Sequence, residues 1–564
     1  MSPLWTTPGI SDPELCQQLT HSLGVAPFVA ELLSRRGLRT VAEAAHFLNP
    51  RLKTLGDPFL LPDMDAAVRR ILAAVDTGER IVLYGDYDVD GVTSLALFTR
   101  VLRAFGARPE CFLPDRVKEG YGLSAAGVER CLATWRPQLL IAVDCGTSSC
   151  VEIADLCQQG VDVIVLDHHE CQAELPECVA FVNPKRGTEH HYLCSVGLVF
   201  KVVHALLKRR PLTGFDLREF LDFVALGTVA DLVPIGRENR ILVKRGLAQL
   251  ERTRWPGIRA LMEVARVRPP LSCGHVGFAL GPRLNAAGRL GTAQAALELL
   301  LTDDASRAQT LAHELDEQNR ERRAVEDEVV QQAEAQLAEW FVPSRDAAIV
   351  VGAVGWHPGV VGIVASRLMK RHHRPTIVIG FDEQGLGKGS GRSIEGLALV
   401  AALSACAPLL ERFGGHEMAA GLTLQQAQFA QFREAFRACA AERLSAAQLR
   451  PSLRVDCEIA LAEIGFPLLE QHDALQPFGM SNPQPVFFAR EVVLAAEPRV
   501  LKEKHLSVVL RQGYREQRAI WFDAATQELP PAPWDVAFHL ERNEWQDRVT
   551  AEMHIKAVRA AEER

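Results

Sequence analysis

The sequence contains no C-x-x-C pair. Its thirteen cysteines are odd in number and scattered, several inside apolar strand or helix patterns. That spacing favours reduced structural thiols over zinc ligands or a disulfide framework. A long uncharged apolar stretch is missing too, so no membrane span is expected. The opening "MSPLWTTPGISDPE" has neither a basic n-region nor an apolar h-region, which predicts no secretory signal and a cytoplasmic home. There is no repeat of fixed period and no low-complexity tract. Excess positive charge is lacking as well. The formal net charge of -8 excludes a general basic coat for nucleic acid. It leaves room for local phosphate-binding patches, because carboxylates gathered around cations count as negative charge.

What is present is globular composition: 48% hydrophobic residues, 23% charged, and a mean hydropathy of +0.02. A chain of 564 residues is too long for one core and divides into roughly three to four domains. From about residue 80 the pattern alternates strand and helix: "RIVLY" then "VTSLALFTRVLRAF", read as an amphipathic helix, "QLLIAVD" then "VEIADLCQQG", and "VDVIVLD". This predicts an α/β domain with a largely parallel sheet. A charged, helix-forming stretch between Ala293 and Trp340 reads as one long connecting helix. A second α/β unit follows, from "AAIVVGAVGWHPGVVGIVASRL" to "GGHEMAAGLTL". After about Pro451 short alternating strands predict a small antiparallel barrel or sandwich. The first 49 residues look helical and by themselves uninformative.

The stretch "YGDYDVDG" places Asp86, Asp88 and Asp90 on alternate positions before Gly91, the first half of a calcium-binding EF-hand loop. That reading fails because Leu97 stands where a bidentate glutamate is needed, and because a strand rather than a helix precedes the acids. Asp144 ends a second predicted strand, and Asp167, His168 and His169 end a third. In a parallel sheet such ends share one edge. Asp231, closing "FVALGTVAD", is a further candidate. Acids this close repel one another unless cations lie among them, and oxygen-rich ligation with one imidazole suits Mn²⁺ or Mg²⁺ better than zinc. Two such ions are a known solution for hydrolysing phosphate esters. A lone aspartate here would more simply cap its following helix.

"GDYDVDG", "VDCGTS", "DHH" and "GTVADLVP" resemble the four motifs of the DHH phosphoesterase superfamily, and "GGHEMAAG" resembles the glycine-rich motif of its companion DHHA1 domain. Over nearly the whole chain, "EGYGLS", "GPRLNAAGRL", "GWHPGVVGIVASRL", "GSGRS" and "PFGMSNPQPVF" are similar to the RecJ branch of single-strand-specific exonucleases. The resemblance implies an N-terminal helical segment (1–49), a DHH catalytic domain (50–292), a connecting helix (293–341), an α/β DHHA1 domain (342–448) and a C-terminal all-β OB-fold (449–564). It implies Asp88, Asp90, Asp144, His168 and Asp231 as ligands of two divalent cations, Mn²⁺ or Mg²⁺, with Asp144 bridging. His169 matches the position facing the scissile phosphate, with orientation of His168 as the other reading. Asp86 and Asp167 match acids of the same motifs, either at the metal or behind it. Val89 replaces a commoner alanine and puts none of the ligands in doubt.

By the same resemblance, Ser390 and Arg392 in the glycine-rich loop "GKGSGRS", with Arg116, hold a terminal 5′ phosphate. A plain strand–helix turn is the other reading of that loop. Arg283, Asn285 and Arg289 are implied as contacts to the DNA backbone, Arg289 being open to a second reading as an ion-pair partner. His416, among small residues, permits close approach of substrate, a satisfied structural histidine being the other reading. Lys502, Lys504, His505, Trp521 and Phe522 fit a single-strand-binding barrel, although aromatics in small barrels are more often core. The implied activity is 5′→3′ exonucleolytic hydrolysis of single-stranded DNA to mononucleotides in repair and recombination. Single-strand-binding protein and a helicase are the implied collaborators. The rivals are a phosphodiesterase for oligonucleotides or cyclic dinucleotides and a non-catalytic DNA-binding scaffold.

Overall fold

The computed structural model describes residues 3–561 apart from 8, 10, 116–118, 121, 188–189, 291 and 546–547. The chain forms two compact units: Pro8–Asn319 with Asp456–Arg564, and Met1–Thr7 with Arg320–Val455. Among the described residues no helix is long and apolar enough to cross a membrane.

The first unit is built on a five-stranded, wholly parallel sheet in the order Glu110–Phe112, Ile81–Gly85, Leu139–Val143, Asp162–Leu166, Ala180–Val182. Its central strands are apolar at nearly every position because both faces are covered. Leu83, Ile141 and Ile164 face the helices Val89–Ala104 and Ser195–Arg209. Val82, Tyr84, Leu140 and Val163 face Ala125–Trp135 and Cys150–Gln158. The helix Val89–Ala104 is not amphipathic as expected. It is buried almost all round, since Ser195–Arg209 shares the sheet face with it and helices Leu221–Ala230 and Gln294–Leu301 also pack against it.

The C-terminal barrel lies in this same unit. Strands Phe487–Leu494, Trp534–Trp545, Arg548–Ala560, Arg515–Trp521 and His505–Gln512 pair in turn, and the last pairs back to the first. One of these pairings, Arg515–Trp521 with Arg548–Ala560, is parallel rather than antiparallel, and a helix, Phe466–Asp473, accompanies the strands. The N-terminal helices Pro13–Leu23 and Pro27–Arg35 do not stand apart: Leu15, Leu19, Val29 and Leu33 share one core with Leu469, Phe487 and Phe538 of the barrel.

Arg240 ties this assembly to the helices packed on the parallel sheet. Fully buried, it donates to the carbonyls of Phe47 (2.7 Å), Leu475 (3.0 Å) and Gln476 (2.8 Å), and its guanidinium lies 3.6 Å from the Phe47 ring centroid. Arg240→Ala should leave the Phe47 and Gln476 carbonyls unsatisfied, while Asn482 Nδ2 still donates to Leu475, and cost about 2–5 kcal/mol. Urea unfolding measures this, and a loss below about 1 kcal/mol would contradict it.

The expected single helix over 293–341 is two: Gln294–Leu301 and the 36-residue Ala305–Trp340. Asp304 interrupts them by capping the second, its carboxylate accepting from the amides of Ser306 and Arg307. The boundary between the units falls inside the longer helix. In the second unit, strands Ile349–Val354, Thr376–Phe381, Leu386–Arg392, Ala419–Gln425 and Arg412–Gly415 form a mixed sheet, and Ser452–Arg454 pairs with Leu4–Thr6. "GKGSGR" is thus a strand and not a loop. Its glycines are set by packing: a Cβ on Gly387, Gly389 or Gly391 would come within 2.5, 2.8 or 2.7 Å of Phe381, Ile379 or Leu399.

Candidate metal centre

The strand order reverses direction between Ile81–Gly85 and Leu139–Val143, the place where open α/β sheets bind ligands. Asp86 and Asp144 follow those two strands directly. The chain then turns sharply into its first helix. A Cβ on Gly91 would lie 2.4 Å from the Asp86 carbonyl oxygen, so only glycine lets the helix start this close to the strand end. Asp88 caps that helix, accepting from Gly91 N at 3.0 Å. The capping role and a ligand role therefore coexist, since a carboxylate has further lone pairs.

Asp90, fully buried, receives the amides of Ser195 (2.6 Å) and Val196 (2.9 Å) at the positive end of the helix Ser195–Arg209. Asp144 stands in left-handed backbone (φ 66°) and accepts from Ser195 Oγ at 2.8 Å. A non-glycine residue in that conformation is strained, and such strain collects at functional sites. Asp231 ends the helix Leu221–Ala230, and its buried Oδ2 has no hydrogen-bond partner among the described residues. His168 Nε2 lies 3.3 Å from Asp144 Oδ1, 3.6 Å from Asp231 Oδ2 and 3.8 Å from Asp90 Oδ2.

Ligand atoms within 4.8 Å of one another fall into overlapping groups: Asp90, His168 and Asp231; Asp86, Asp88 and Asp144; and Asp144 with His168 and His169. Burial and the surrounding acids push Asp90 up to about 7 and Asp231 up to about 9, and raise Asp144 well above the usual carboxylate range. Burial presses His168 down to about 3, so its imidazole is neutral. Protons are thus drawn to the carboxylates where positive charge is wanted, while the histidine keeps a free lone pair. This is the donor set of a divalent-cation site, and the residues fit it.

Asp167 is held differently. Its Oδ1 accepts from the amides of His168 (2.7 Å) and His169 (3.2 Å) and meets His169 Nδ1 at 2.7 Å, while Oδ2 accepts from Thr147 N at 3.0 Å. Both its oxygens are bonded within the chain, and it stands in none of the ligand groups above. His169 is pushed up to about 9 despite its burial, because Asp167 bonds and attracts its charged form.

Other predicted residues land elsewhere. Asn285 Oδ1 accepts from Val89 N at 3.2 Å, so it braces the acidic turn. Arg283 is paired with Asp316 at 2.9 Å and donates to the Ala279 carbonyl. Arg289 lies half-buried near the end of the helix Gly281–Leu290. Arg116 lies outside the described residues. Ser390 and Arg392 are partly buried and bonded to each other, Arg392 Nη1 to Ser390 Oγ, at 3.0 Å. His416 is exposed in the turn after Arg412–Gly415. In the barrel Trp521 is buried and Phe522 is 46% exposed between His505 and His554. Three residues near the centre went unread in the sequence: Ser195, Thr147, and Asn183, which donates to Thr147 Oγ1 and the His169 carbonyl. For Ser195 the available signal was a serine opening the apolar run "SVGLVFKVV".

Three family descriptions match the chain: the DHH family N-terminal domain over 80–228, the DHHA1 domain over 346–442 and the RecJ OB domain over 455–557. The single-stranded-DNA-specific exonuclease RecJ of Dickeya dadantii is 37% identical, across 93% of this chain and 94% of that one. The chain belongs to the RecJ family. RecJ of Thermus thermophilus in complex with Mn²⁺ aligns with a TM-score of 0.85 and 31% identity, covering 99% of this chain and 80% of that one. The same protein in complex with Mg²⁺ aligns with a TM-score of 0.78 and 29% identity, covering 99% and 79%.

Proposed function

We propose that this chain is a metal-dependent exonuclease that hydrolyses single-stranded DNA from its 5′ end to mononucleotides, in the cytoplasm, during repair and recombination. The observation that carries the reading is the convergence of Asp86, Asp88, Asp90, Asp144, His168 and Asp231, with Asp144 shared between neighbouring ligand groups. Asp88, Asp90, Asp144, His168 and Asp231 would hold two cations, Mn²⁺ or Mg²⁺, with Asp86 beside them. Bound there, such a pair supplies Lewis acidity and charge neutralisation for phosphodiester hydrolysis.

The protein's own groups do the rest. The amides opening the helix Ser195–Arg209 keep Asp90 oriented, and Ser195 Oγ fixes one oxygen of Asp144. Asp167 keeps His169 protonated, so its imidazolium is a donor to the negative charge gathering on a phosphate. Support for 5′ polarity comes from Arg392, a partly buried guanidinium with no carboxylate facing it among the described residues, beside the first turns of the helix Pro358–His372. Single-strand-binding protein and a helicase are the collaborators this role calls for.

Single-stranded DNA labelled at either end, incubated with Mn²⁺ or with EDTA beside the blunt duplex and a trinucleotide, tests the reading. Early metal-dependent release of the 5′ label, with the duplex spared, is expected. Cleavage of the trinucleotide alone would make the chain an oligonucleotide phosphodiesterase, and binding without cleavage would make it a scaffold.

A further inference from the structure

Phe278 is 81% exposed, the most of any phenylalanine among the described residues. One exposed apolar side chain is ordinary, but the backbone beneath this one is not. Val276–Leu280 is a π-helical turn, a rare conformation frequent at functional sites. Val276 and Leu280 are fully buried on either side, so the turn is anchored while Phe278 is held out in solvent.

The turn runs directly into the helix Gly281–Leu290, which meets the acidic turn twice. Asn285 accepts from Val89 N, and a Cβ on Gly288 would lie 2.8 Å from the Tyr87 carbonyl oxygen. Phe278 precedes Asn285 by seven residues, about 10 Å along the axis. The same segment packs on the helix that delivers Asp231: a Cβ on Gly281 would touch Ala230 at 3.6 Å. Immediately after Asp231, Leu232 is 67% exposed in left-handed backbone (φ 59°), an unfavourable state for leucine. Two apolar side chains are thus displayed from unusual backbone on segments that build the metal centre.

We propose that Phe278 is a base-stacking contact for the strand being degraded, an inference that rests on the exonuclease reading. A nucleobase presents a flat, uncharged π face, and stacking on an aromatic ring tolerates every base, as an enzyme that must pass all of them requires. A single ring suffices for a base, whereas a protein partner needs an interface of about 1,000 Å² or more.

The test uses the full chain, Mn²⁺ and a phosphorothioate oligothymidylate that resists cleavage. Phe278→Trp should bind the strand and show emission quenching above that of the wild type, and Phe278→Ala should bind roughly tenfold more weakly by fluorescence polarisation. Emission at position 278 that does not respond to a strand seen to bind, or unchanged affinity in Phe278→Ala, overturns the stacking contact while the exonuclease reading stands. A wild type that neither binds the strand nor digests ordinary single-stranded DNA removes both together.

Discussion

Asp144→Asn should lower hydrolysis of single-stranded DNA by at least about 10³-fold while the protein stays folded, because Asp144 is the carboxylate shared between neighbouring ligand groups. Asparagine is the sharper substitution here. It tolerates the left-handed backbone at φ 66° and still offers an oxygen to Ser195 Oγ, so the local frame survives. Asp144→Ala should abolish activity equally, with a strain of about 1 kcal/mol added by the backbone. Thermal unfolding separates a ligand role from a structural one. A cation that binds only the native state raises Tm, and for two sites near saturation the wild type should gain on the order of 5 °C with Mn²⁺. The variant should lose most of that gain, yet melt near the wild type in EDTA, since it sheds a carboxylate crowded by Asp90, Asp88, Asp86 and Asp231. Turnover within tenfold of wild type, or an undiminished Mn²⁺ shift, would take Asp144 out of the metal assignment.

The sequence disclosed the centre because strand ends in a parallel sheet need no long-range information. An apolar run ending in an acid already places each carboxylate on one edge, and Asp86, Asp144 and Asp167 follow that rule. What it hid depends on partners far away in the chain. The helices Pro13–Leu23 and Pro27–Arg35 read as uninformative because their apolar faces pack on a barrel over 400 residues later. The pairing of Arg283 with Asp316, 33 residues further on, is likewise invisible in the local motif. "GKGSGR" reads as a loop because strand signals rest on β-branched and aromatic side chains, whereas here the glycines exist to let Phe381, Ile379 and Leu399 pack against the backbone. Helix burial was misjudged for a similar reason. The pattern of Val89–Ala104 shows one apolar face clearly, and nothing local announces the other helices that cover its small and polar positions.

Arg392→Ala should erase most of the preference for a 5′-phosphorylated over a 5′-hydroxyl strand, by roughly 10- to 100-fold in kcat/KM, the worth of hydrogen bonds to a charged group. Arg392 is partly buried, donates to Ser390 Oγ and to the Gly391 carbonyl, and faces no carboxylate among the described residues. Burial alone accounts for its lowered pKa, and an arginine stays charged regardless. A half-buried cation without a counter-ion destabilises its surroundings until an anion arrives. Removing it should therefore leave Tm unchanged or slightly raised, the opposite of what a structural arginine would do. Arg392→Lys, which keeps the charge but not the planar fork, should restore part of the preference. Strands blocked at the 5′ end would separate this from a general loss of affinity, since the variant and the wild type should then differ little. If the 5′-phosphate preference survives in Arg392→Ala, the polarity of the enzyme is set by other groups and the strand Leu386–Arg392 only packs the sheet.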